Sequence, residues 1–127
     1  MLGANDLELS KIFYDAVLGT LGTKPGMLNN ESRYFYRSPT GVFAISKPID
    51  GQAATPANGG TIGFAAKSVA EVEAFHTTGL AHGGTECEGL PGYREGVAGK
   101  IYIGWLRDPA GNKICALYRE PKEKPAT

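Results

Sequence analysis

Few side chains in this chain are equipped for chemistry. Its 127 residues include two histidines, two cysteines and one tryptophan. His76 and His82 stand six positions apart, which on a helix is about 240° of rotation, so one ion cannot take both. They are read as a solvated or half-buried helix residue and a helix-end residue. The run Glu86-Cys87-Glu88 behind His82 offers metal-binding residue types, although charged loop residues usually meet only water. Arg94, beside Tyr93 in a glycine-rich stretch, is the best candidate for holding an anion, because a guanidinium grips a carboxylate through two parallel bonds. Its alternative is an exposed loop arginine. Cys115 has no visible partner to lower its pKa and is read as a buried structural thiol. Cys87 and Cys115 lack zinc or redox spacing and could close at most one bridge, so no disulfide scaffold is expected. The glycines around Gly83 and Gly92 lack the strand-to-helix setting of a phosphate loop, which disfavours nucleotide binding.

Composition narrows the function classes further. Thirteen basic residues balance thirteen acidic ones, so no global field draws nucleic acid, anionic lipid or an acidic substrate. With 42% hydrophobic and 20% charged residues, the chain has a globular composition, and no apolar run approaches the ~18 residues that span a bilayer. Neither a nucleic-acid nor a membrane partner is expected. The opening Met-Leu-Gly-Ala-Asn-Asp shows no basic segment ahead of an apolar one, so a cytoplasmic location follows.

The elements that must position these residues come from an internal repeat. Asp6-Leu7, Phe13-Tyr14, Leu18 and Leu21-Gly22-Thr23 reappear as Ser68-Val69, Phe75-His76, Leu80 and Gly83-Gly84-Thr85, displaced by 62 positions. Arg37-Ser38-Pro39-Thr40-Gly41 returns as Arg107-Asp108-Pro109-Ala110-Gly111, displaced by 70. The second copy therefore has eight extra residues, assigned to a Gly/Glu-rich loop from Glu86 to Gly99. Asn5 with Glu8, and Ser68 with Glu71, have the spacing of a helix-start capping box. Leu9, Ile12, Phe13, Ala16 and Val17, then Val69, Val72, Phe75 and Leu80, give each helix an apolar stripe. Short β-branched and aromatic runs predict strands at 33–37, 42–47, 61–66, 101–107 and 113–118. Ser-Pro-Thr-Gly and Asp-Pro-Ala-Gly predict type I turns, so each half ends in a hairpin. A linker poor in large apolar residues covers 48–60, and the charged tail 119–127 is expected to be disordered.

This repeat, with "NDL…FYDAVL…LG" near the start and "DPAGNKI" near the end, resembles the glyoxalase/bleomycin-resistance/dioxygenase superfamily, also called vicinal oxygen chelate proteins. The resemblance covers about residues 2–118. Stretches such as "KPIDGQAATPANGGTIGFAA", "VEAFHTTGLAHGGT" and "RDPAGNKI" look like one bacterial subfamily without an assigned reaction. It implies an α+β fold in which two βαβββ modules, about 1–50 and 58–120, form one domain with a curved sheet around a cavity, and it implies a homodimer. Metal-dependent relatives hold a divalent ion through His or Glu on the first and last strands of each module. Here the first of these positions in the second module falls on Thr61, and its counterpart 62 residues earlier falls before Met1. The last-strand glutamate position falls on Cys115 and, by the 70-residue displacement, on Ile45. The family's metal site is therefore not expected, and no cofactor is assigned.

Pairing strands across the 108–111 turn sets Arg107 opposite Asn112, and Leu106, Gly104 and Tyr102 opposite Lys113, Cys115 and Leu117. These six would share the cavity face, with Trp105, Ile103, Ile101 and Ile114 under the helices. The first hairpin, treated alike, gives the cavity Tyr34, Tyr36, Phe43 and Ile45, with Phe35 and Ala44 beneath a helix. The expected ligand contacts are Tyr34, Tyr36, Phe43, Thr61, Tyr102 and Cys115, with Arg94 over the entrance. Such a lining suits an aromatic or apolar small molecule, although the tyrosines could equally fill a closed core. The functional expectation is a metal-free small-molecule-binding protein. The alternative is a lyase, isomerase or dioxygenase using a metal on unmapped residues, or acid-base chemistry through tyrosines and Arg94.

Overall fold

The computed structural model describes residues 1–96 and 99–121. The first module runs β1 (Leu2–Gly3), α1 (Leu7–Gly19), β2 (Met27–Asn29), β3 (Arg33–Ser38) and β4 (Gly41–Ser46). The second runs β5 (Ile62–Ala65), α2 (Val69–Ala81), β6 (Thr85–Glu86), β7 (Gly92–Gly96), β8 (Gly99–Arg107) and β9 (Lys113–Arg119). Each module is thus βαβββ, with β7 added to the second. One sheet has the order β1-β4-β3-β2 and the other β5-β9-β8-β6, with β7 also on β8. In both, the first strand lies parallel to the last. The stretch expected as a loop over 86–99 contains β7, so Arg94 sits on a strand; Val97 and Ala98 lie outside the described residues, as does 122–127 of the expected tail.

Both helices have 13 residues, and Phe13 and Phe75 each occupy the seventh position at 0% exposure. The second helix starts as expected, with Ser68 Oγ accepting from the Glu71 N–H. The first starts one residue later than expected. Asp6 caps it by accepting from the Leu9 N–H, while Asn5 exchanges two hydrogen bonds with the backbone of Ala54 and ties down the linker. Their buried faces also differ from the expected stripes. Leu9, Ile12 and Leu80 are exposed, whereas Ser10, Tyr14 and His76 turn inward. An aromatic row, Phe13–Tyr14–Phe43–Phe64–Phe75, runs from one helix to the other with ring centroids 4.8–6.1 Å apart. Because Phe43 and Phe64 belong to different modules, the two halves share one core.

A polar clasp reinforces that junction. The Tyr14 hydroxyl donates to Asp108 Oδ2 at 2.6 Å, and Asn112 Nδ2 donates both to that oxygen and to the Gly3 carbonyl at 2.9 Å. Asp108 Oδ1 accepts the N–H groups of Ala110 and Asn112.

The two hairpins are not equivalent at their turns. Ser38 pairs with Gly41 around the two-residue loop Pro39-Thr40. In the second, the Asp108 N–H reaches the Asn112 carbonyl and Gly111 adopts φ +91°, giving a three-residue loop of the kind that ends on a left-handed glycine. Arg107 therefore pairs with Lys113, and Trp105 with Cys115, instead of the expected Arg107 with Asn112. The repeat displacement is 70 before the turn and 71 after it (Arg37 to Arg107, Val42 to Lys113).

Candidate functional site

That single extra residue redistributes the expected site over two faces. On the first sheet the expected pairing of Tyr36 with Phe43 and Tyr34 with Ile45 is present, but the side facing the helix is reversed. Tyr34 donates to Glu8 on α1 at 2.6 Å, and Tyr36 to Asp15 on α1 at 2.8 Å. Phe43 stacks on Tyr14 of α1, and Phe35 and Ala44 share the opposite face. On the second sheet Tyr102 likewise faces its helix and donates to Glu73 at 2.8 Å. These hydroxyls are committed within the protein. Hydrogen bonds to Glu8 and Glu73 raise the pKa values of Tyr34 and Tyr102, and burial followed by Asp15 raises that of Tyr36. Thr61 is exposed just ahead of β5.

Trp105, expected beneath a helix with Ile101 and Ile103, lies with them on the face turned away from it. The physical reason is the close approach of α2. A Cβ on Gly104 would stand 3.0 Å from Pro91 and 3.6 Å from Val72, and one on Gly79 would stand 2.3 Å from Leu106. Glycine in a strand marks such an approach, so Gly104 and Leu106 must be the helix-facing residues and Trp105 the outward one.

The outward face brings together Arg94 and Cys115 from the expected set, along with residues outside it. Its apolar part is Ile103 at 6% exposure, Cys115 at 4%, and half-buried Ile101, Leu117 and Trp105. The Arg94 guanidinium lies over the indole, 4.8 Å from the ring centroid, and Lys113 Nζ lies 5.8 Å from it. Glu88 pairs with Lys113 at 2.5 Å. Burial pushes the Cys115 thiol up to about 11, so at neutral pH it is a neutral floor and no nucleophile. Gly63 on β5 completes that floor, its Cβ position 3.4 Å from the thiol sulfur. Trp105 escapes sequence reasoning because its place beside Cys115 depends on the turn; Lys113 is on the face expected for it, and its ion pair with Glu88 joins two segments that nothing local connects. The glycine at 104 was the available signal, since its neighbours in the strand must alternate away from it.

His76 is not solvated; it is buried at 3% exposure inside α2's packed face, with no partner for Nε2 among the described residues. Burial lowers its pKa and Glu86 partly opposes this. His82 closes the helix, with Nδ1 at 2.7 Å from the Thr78 carbonyl. Neither reaches the outward face through these contacts.

Comparison with known proteins agrees with this fold. A glyoxalase/bleomycin resistance protein from Albidiferax ferrireducens T118 is 62% identical over 94% of this chain and 95% of its own, with a TM-score of 0.91. The chain belongs to the glyoxalase/bleomycin resistance/dioxygenase superfamily. A glyoxalase-related enzyme from Fulvimarina pelagi (22% identity, 93% and 84% coverage, TM-score 0.69) shares the fold. So does a glyoxalase/bleomycin resistance protein/dioxygenase family enzyme from Burkholderia phytofirmans PsJN (12%, 92% and 93%, 0.68). No family model and no curated protein matches the chain.

The residues at the superfamily's metal positions do not fit a divalent ion. With the displacement of 71 after the turn, Cys115 corresponds to Ala44, in place of the expected Ile45, and neither can ligate. Thr61 stands exposed ahead of the strand, which leaves the buried Cys115 as a single candidate ligand among these positions. Among the described residues no three His, Cys, Asp or Glu side chains converge on one point. None of their helices is long and apolar enough to cross a membrane.

Proposed function

We propose that this member of the superfamily is a metal-free small-molecule-binding protein that takes an aromatic or apolar ligand on the outward face of the second sheet. The observation that carries this reading is the single tryptophan: half-buried, paired with Cys115, and overlaid by Arg94. A rigid indole on an apolar floor offers stacking area to a ring that displaces the guanidinium lying over it, and the displaced guanidinium offers one oriented polar contact. This reading retains Arg94 and Cys115 from the expected contacts and takes Trp105 in place of the tyrosines. The free thiols of Cys87 and Cys115 suit a reducing, cytoplasmic setting. The test is a thermal-shift screen of aromatic metabolites and antibiotics in EDTA, followed by Trp105→Ala and Arg94→Ala. Each variant should weaken a discovered ligand by about 1–3 kcal/mol. Unchanged affinity in both would move the site elsewhere, and stoichiometric, tightly bound zinc, nickel, iron or manganese in purified protein would favour a lyase, isomerase or dioxygenase instead.

A further inference from the structure

The chain as a whole is neutral, yet the outward face of the second sheet is not. By the strand register this face carries Arg94, Arg107, Lys113 and Arg119, and among the described strand residues no aspartate or glutamate. Two of these cations flank the indole. The carboxylate that answers them comes from outside the sheet, from Glu88 in the segment 87–91 between β6 and β7. Lys113 and, at longer range, Arg94 hold the Glu88 carboxyl below its ordinary range. The segment that delivers it is loosely built. Glu88 and Gly89 are consecutive left-handed residues, at φ 57° and 79°, a backbone that a non-glycine residue adopts uncommonly. The space beside Gly89 is empty and Leu90 is 75% exposed, whereas Pro91 is fixed against Gly104. The tip is thus tied down through a half-exposed ion pair, which is a weak tether.

We propose that Glu88 is a built-in stand-in for a ligand carboxylate: the face around Trp105 takes planar aromatic anions, and Glu88 must release Lys113 for them to bind. This rests on the proposed function and adds the ligand's charge class and the means of regulating access. The aromatic ring stacks on the indole in place of the Arg94 guanidinium, its carboxylate pairs with Arg94 and Lys113, and the segment 87–91 swings on Pro91. Titration calorimetry with 2-naphthoate and its uncharged analogue 2-naphthalenemethanol tests it. Wild type should bind naphthoate at least about fivefold more tightly, and Glu88→Gln should improve naphthoate by about tenfold while changing naphthalenemethanol less than about twofold. Lys113→Met should abolish the preference. Glu95→Gln makes the same charge change on the helix-facing side of β7 and should change either affinity less than about twofold. Equal gains from Glu88→Gln and Glu95→Gln, no preference for naphthoate, or no binding of it would overturn the inference. Both probes binding without charge preference, but lost in Trp105→Ala, would sink the inference alone; binding that survives Trp105→Ala would sink the proposed function.

Discussion

Asp108 is the residue on which most of the inter-module geometry converges. It is 4% exposed and accepts from Tyr14, from Asn112 Nδ2 and from two backbone N–H groups. Asp108→Ala would strand those donors in a space closed to water, and should cost about 3 kcal/mol, against about 1–2 for Tyr14→Phe, which removes one donor. Urea denaturation of both variants and their double mutant measures this, and the shared bond predicts less than additive losses. The sign of the alkaline response follows from Tyr14, whose pKa is raised by burial and then by Asp108. Its neutral form is favoured on folding, so the stabilisation is complete below the ordinary tyrosine value of ~10 and is lost as pH rises beyond it. That loss should be smaller in Tyr14→Phe. Asp108 is legible in the sequence as a turn starter. Its partner Tyr14 lies 94 positions away, and nothing local announces such a contact.

At the scale of elements, the helix α2 is where sequence patterning and packing diverge most. Its expected apolar stripe includes Leu80, yet the residue pressed into the core one position earlier is Gly79, against Leu106, Val17 and Phe13. Alanine at 79 gains helix propensity of about 1 kcal/mol. The added methyl, however, would sit 2.3 Å from a Leu106 side chain that is itself fully buried. Overpacking of this kind costs about 1–3 kcal/mol, so Gly79→Ala should lower the urea midpoint; a stabilised variant would show that Leu106 has room to yield. The periodic segments, Phe13 with Phe75 and the strands around 101–107 and 113–118, were legible because burial period and turn residues agree there. Faces were not: the second of two turns reading x-Pro-x-Gly has one more loop residue, which exchanges the faces that β8 and β9 share, whereas on β3 and β4 the pairing is as expected and the side is set by contacts with α1, Tyr34 to Glu8 and Tyr36 to Asp15. The sequence pattern of Gly104 beside Trp105 carries the answer only once the close approach of the helix is known.

For the whole molecule, two modules close on one aromatic core and leave the faces turned away from the helices to do other work. The strand β2 is an edge with Met27 69% and Leu28 54% exposed, and an uncovered apolar edge favours pairing with another chain. We propose a homodimer on this ground, for which light scattering at tens of micromolar should give twice the 13.4 kDa chain mass; a monomer there would count against the dimer and leave the fold untouched. The face around Trp105 is directly observable, because it carries the lone tryptophan. In a nitrogen-15 NMR titration with EDTA present, any small molecule that stabilises the protein should shift the single indole N–H resonance saturably, with the same affinity as the thermal stabilisation. A ligand that stabilises the protein while that resonance stays in place, or that binds only when a divalent metal is restored, would contradict metal-free binding at that face.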